Sequence, residues 1–146
     1  MRRLLACVLV ACAPLAAAQA LKPLQVTPEE LRWAPLAAGA YQSGLQQAVI
    51  VGDPEKEGTY VIRVKIPAGF RIAPHTHPDD RVVTVLSGML LMGYGEQFDE
   101  SRLKALGAGS VWTEPAGQAH FVWARDGEVV VEAVGKGPSA VTAVRR

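Results

Sequence analysis

Cysteine is almost missing from this chain of 146 residues: there are two, Cys7 and Cys12, both close to the N-terminus. Beyond them there is no thiol, which excludes a disulfide framework, a cysteine nucleophile and thiolate metal ligation. A serine hydrolase's Gly-x-Ser-x-Gly elbow is absent, as are a phosphate-cradling glycine loop and a dinucleotide fingerprint. Neither sign of charge dominates, with 15 basic and 14 acidic side chains, and this argues against a nucleic-acid partner. The one long apolar run, Leu4 to Ala18 after Met1-Arg2-Arg3, is too short to span a bilayer comfortably, so no membrane span is expected.

That N-terminal run reads as a secretory signal peptide. Ala18-Gln19-Ala20 supplies small residues for cleavage after Ala20, giving a periplasmic or secreted product that starts at Leu21. Losing Arg2 and Arg3 leaves 13 basic against 14 acidic groups. Leu9-Val10-Ala11-Cys12 offers an alternative, a lipoprotein box with Cys12 as a lipidated terminus. The expected organisation is a signal at 1–20, an N-terminal arm at 21–44 and one β domain at 45–146. With 49% hydrophobic residues the chain can build one real core.

The body of the chain is punctuated for strands. Gln46 to Val51 is a strand, followed by a loop at Gly52-Asp53-Pro54. Tyr60, Ile62, Val64 and Ile66 alternate with Val61, Arg63 and Lys65, which predicts one buried face. Ser87-Gly88 and Arg125-Asp126-Gly127 each separate two apolar runs and read as hairpin turns, Gly88 supplying a positive φ. Thr27-Pro28-Glu29-Glu30 has the form of a capping box, Asp99 to Leu106 that of a short helix or turn, and Ala140 to Val144 that of a closing strand. The class is therefore all-β, a sandwich or barrel.

What is present and concentrated is histidine. There are three in all, His75, His77 and His120, and imidazole is the commonest protein metal ligand. In a strand His75 and His77 face the same way, about 7 Å apart, so two donors can share one ion; His120 must then come from an adjacent strand. Gly69, His75, His77 and Gly88, followed by Gly109, Pro115, Gly117 and His120, resemble the two signature motifs of the cupin superfamily. The resemblance runs from about Leu45 to Val144. It implies a jelly-roll β-barrel, a divalent ion held by the three histidines, with iron or manganese favoured over zinc, nickel or copper, and pairing into a homodimer.

Two positions depart from that pattern. Arg81 stands where the family places a glutamate ligand, and Ala124 where the second motif often ends in asparagine. An arginine stays protonated and cannot ligate a cation. If the strand phase holds, Arg81 points at or near the ion, and a guanidinium beside a dication calls for an anion between them. That anion is either a substrate or one of Asp79, Asp80, Glu114 and Glu132; the alternative for Arg81 is a salt-bridged place on the barrel rim. Glu114 reads as a further base near the ion or as an exposed turn carboxylate ahead of Pro115. Trp112 and Trp123 flank the second motif, with Trp123 out of phase with His120 and assigned to outer packing. Tyr94 and Phe98 are placed in core or rim packing, or else at the mouth.

Three neutral imidazoles leave an ion with its full charge and open coordination positions, a strong Lewis acid. Two function classes follow. One is a small metalloenzyme that oxygenates, isomerises or hydrolyses a small oxygen-rich molecule, neutral or anionic, with Arg81 and Glu114 as candidate catalytic residues. The other is a non-catalytic envelope cupin that binds a metal or small ligand.

Overall fold

A computed structural model describes residues 21–36 and 44–145. The signal segment, its cleavage point and Cys12 lie outside the described residues. Ahead of the barrel, Pro28–Glu30 forms a single 3-10 turn in which the Thr27 N–H donates to the Glu30 carboxylate at 2.7 Å. This is the back-reaching half of the expected capping box. Next comes β1 (Ala34–Pro35), which pairs with β2 (Gln46–Val51).

Two antiparallel sheets face one another, as the all-β reading requires. The larger holds β1, β2, β3 (Gly58–Ile66), β10 (Val129–Gly137), β5 (Arg81–Ser87) and β8 (Val111–Glu114) in that order. The smaller runs β11 (Thr142–Ala143), β4 (Phe70–Thr76), β9 (His120–Ala124), β6 (Met89–Tyr94) and β7 (Lys104–Gly107). The predicted alternation of β3 holds: Tyr60, Ile62 and Ile66 are buried, and they meet Val83, Val85, Leu90, Val122 and Val131 in one core. At about 25 cal/mol per Å² of apolar area, burial of this kind is what holds two such layers together.

The two hairpins are corrected. β5 pairs with β8 and β10, while β6 pairs with β7 and β9, so the turn at Gly88 carries the chain from one sheet to the other. β9 and β10 are likewise in different sheets. Alternation and turn chemistry mark where a strand ends; they do not say which sheet the next strand joins, and in a two-sheet fold the returning strand buries its apolar face just as well across the gap. The conformation expected of Gly88 is present, with φ +81°, and a Cβ there would run into the Glu128 carbonyl. The span from Asp99 to Leu106 is also revised: one 3-10 turn at Glu100–Arg102, capped by Asp99 accepting from the Ser101 N–H at 2.9 Å, gives way to β7.

Candidate metal centre

The histidines come together through strand register. β4 and β9 are antiparallel neighbours with His75 directly opposite His120, and His77 lies one residue beyond the end of β4. Between Ile72 and His75 the register shifts: three steps along β4 match two along β9. One extra residue resets the phase, so that Ile72 and His75 both face inward despite their odd spacing. Pro74 sits in this bulge, where a missing N–H costs no ladder bond.

All three rings are buried, with centroids 4.3 to 5.3 Å apart. One ligand atom from each lies within 4.8 Å of the others. Their protonation is organised by backbone carbonyls. His75 Nδ1 lies 2.8 Å from the Ala73 oxygen, His77 Nδ1 2.7 Å from the Ala140 oxygen and His120 Nδ1 3.1 Å from the Gln118 oxygen. A carbonyl only accepts, so each of these contacts assigns the ring proton to Nδ1 and leaves Nε2 as a lone pair. Burial disfavours the charged forms. It pushes His75 down to about 4, helped by the neighbouring His120, and His77 down to about 3, helped by the Arg81 charge. Three neutral rings gathered this closely are the donor set that a divalent cation takes.

Beside the rings lies an ion pair. Arg81 and Glu114 are cross-strand partners on β5 and β8, and Arg81 Nε donates to Glu114 Oε2 at 2.7 Å while its other nitrogen contacts both that oxygen and His77 Nε2. The second carboxylate oxygen accepts from Trp112 Nε1 at 3.1 Å and stands 3.2 Å from His120 Nε2; the first is 3.8 Å from His77 Nε2. Burial alone would raise the Glu114 pKa, but the Arg81 charge opposes it, and the group is held well below the usual carboxylate range. His120 Nε2 has no hydrogen-bond partner despite the nearby carboxylate oxygen, because the contact misses hydrogen-bond geometry. A buried lone pair facing a carboxylate oxygen at that distance has no proton to share and is suited to a cation.

Glu114 is therefore not the exposed turn carboxylate considered from sequence; it is buried at 4% exposure. It is also the anion that Arg81 requires. The other three acids are engaged elsewhere: Asp79 accepts from the Tyr60 hydroxyl at 2.6 Å, Asp80 from the Ala116 N–H at 2.7 Å, and Glu132 from Arg63 at 2.9 Å. Trp123 packs outward beneath the Arg71 guanidinium, 3.8 Å from its ring centroid. Phe98 packs on Phe121, and the exposed Tyr94 donates to the Thr113 carbonyl. Sequence reasoning did not find the space the site opens onto, a cavity of about 530 Å³ between the sheets that His75, His120, Arg81 and Glu114 help to line.

A family model described as a domain of unknown function, DUF4437, matches residues 25–142. The chain belongs to that family. Its fold is of the cupin type, and the members of DUF4437 are cupin-like. Among solved structures, the polyketide cyclase RemF from Streptomyces resistomycificus superposes with a TM-score of 0.71 at 14% identity, over 86% of this chain and 87% of that one. A cupin 2 conserved barrel domain protein from Rhodopseudomonas palustris gives 0.62 at 13% identity, over 82% and 83%. KdgF from a Halomonas species gives 0.58 at 19%, over 82% and 92%. A search of curated proteins finds no match. At identities this low these superpositions show the shared fold alone. No helix among the described residues is long and apolar enough to cross a membrane.

Proposed function

We propose that this DUF4437 domain is an exported metalloprotein in which His75, His77 and His120 bind one divalent ion, and that it is a small enzyme acting on an oxygen-bearing molecule held in the barrel. The observation that carries the reading is the set of three buried imidazoles whose ligand atoms lie within 4.8 Å of one another, with Nδ1 of each against a carbonyl oxygen. The bound ion would supply Lewis acidity, and redox chemistry if it is iron or manganese. Solved cupins that this chain resembles in fold include proteins described as a polyketide cyclase, DMSP lyases and an oxalate oxidase, which supports an enzymatic role.

The chain's own residues would divide the remaining work. Arg81 keeps Glu114 ionised at a neutral pH and fixes one of its oxygens, so the other is presented on the His120 side. An ionised carboxylate held there can accept a hydrogen bond from a substrate hydroxyl and orient it beside the ion. Arg81 also donates to His77 Nε2. Were His77 Nε2 engaged by a bound ion, the Arg81 guanidinium beside it would be placed to steady negative charge on a bound substrate.

The test is calorimetric titration of manganese or zinc into chelator-stripped protein. The parent should bind about one ion per chain, and His77→Ala should lose on the order of a hundredfold or more in affinity, the loss expected of a removed ligand. Equal binding by both proteins would overturn the site. Given binding, turnover of phenols, enediols or enolisable ketones under air with iron or manganese marks an enzyme. Tight retention of a ligand with no turnover across the panel would favour the envelope binding module instead.

A further inference from the structure

The cavity behind the centre has a definite chemical character. Ile62, Ile72, Val83, Leu90, Val122 and Val131 form its walls, and the polar groups that line it beside the centre are the buried His75, His120 and Glu114 with the half-buried Arg81. Of the other polar lining residues, Arg32, Gln47 and Glu55 are exposed or half-exposed and belong to the arm, β2 and the loop after it, while the half-exposed Ser139 follows β10. Arg81 lies on β5 and Gln47 on β2, separated in the sheet by β10 and β3. Three strand spacings make this separation about 14 Å. A ligand with its head at the ion therefore lays its body across Val131 and Ile62, over a stretch of wall that offers it no hydrogen bond. Hydroxyl groups placed there would give up their water without a partner in return.

Resting on the metal-centre reading, we infer that the substrate class is amphiphilic: one oxygen-bearing head, anionic or enolisable, on an alkyl or fused-ring body. Sugars and small polyhydroxy acids are excluded by the same wall. The oxygen-rich molecule expected from sequence becomes a molecule that is oxygen-bearing at one end. The size suits this, since ligand cavities of roughly 300–1,000 Å³ take drug-sized molecules.

The experiment is calorimetry of straight-chain hydroxamates, from the two-carbon to the eight-carbon member, on metal-loaded protein. Affinity should rise about fourfold per methylene, the gain expected of a CH₂ moved from water to an apolar wall. Gluconate should bind at least about a hundredfold more weakly than the eight-carbon hydroxamate. Ala133→Leu, which adds bulk to the β10 wall away from the ion, should flatten the series for longer chains while leaving metal content and acetohydroxamate affinity unchanged. A flat series in the parent, or gluconate as the tighter ligand, would overturn the inference whether or not the variant folds. Acetate through octanoate on metal-free protein reads the wall by itself. Loss of metal binding and loss of chain-length dependence are therefore separate results, the first sinking the metal centre and the second the amphiphile.

Discussion

The two ends of the barrel interior are built from the same strands by opposite rules. On β5, Arg81 and Val83 both face inward, and their cross-strand partners on β8 are Glu114 and Trp112. One step of two residues passes from a buried ion pair to buried apolar contact. On β4 and β9 the same step separates His120 from Val122. At the polar end every group is held by a named partner and the cost of removing one is the cost of orphaning another. At the apolar end the side chains are interchangeable within limits of volume. The chemistry is concentrated where substitution is costly, and the choice of ligand is made where it is cheap.

The sharpest way to break this contrast is to orphan Arg81. Glu114→Ala leaves a buried guanidinium without its carboxylate and should cost about 3–5 kcal/mol in urea denaturation, the range for one partner of a buried pair. A loss below about 1 kcal/mol would show that Arg81 reaches solvent and that the polar end is not a closed network. Acid is the next lever. His75 and His77 have folded-state values depressed to about 4 and about 3 against an ordinary 6.5, so the unfolded chain takes up protons first. Their contribution is complete above pH 6.5 and is lost as pH falls from there toward 4 and 3. Two groups give at most about 2.7 kcal/mol per pH unit for metal-free protein within that window. Denaturation midpoints that stay flat between pH 6.5 and 4 would contradict buried neutral rings. The smallest effect belongs to the wall: Val131→Ala should cost about 1–2 kcal/mol and leave metal stoichiometry at the parent's value. A fall in metal content in that variant would show that wall and centre are coupled.

How much of this was legible in the sequence depends on the residue. The strand period of two placed His75 and His77 on one face, which follows from local geometry; His120 was placed beside them by the resemblance to the second cupin motif. The bulge before His75 is local too, yet it shows only as Pro74 inside an otherwise good strand. For Glu114 the neighbour Pro115 suggests a turn and leaves two readings open; the deciding signal is the alternation Trp112, Thr113, Glu114, which puts the carboxylate on the same face as a buried tryptophan. The sheet changes at Gly88 and after Ala124 were not legible, since a turn residue serves a hairpin and a crossing equally. Nor was the cavity: valine and isoleucine in a strand look the same whether they meet another side chain or line a space.

X-ray absorption on protein loaded with a single equivalent of zinc or manganese tests the central claim most directly, because it reads the ligands themselves. Three imidazole nitrogens in the first shell, at about 2.0–2.1 Å for zinc, with the imidazole signal falling to two in His120→Ala, are the predicted result. A shell of oxygens with one imidazole or none, unchanged by His120→Ala, would contradict it.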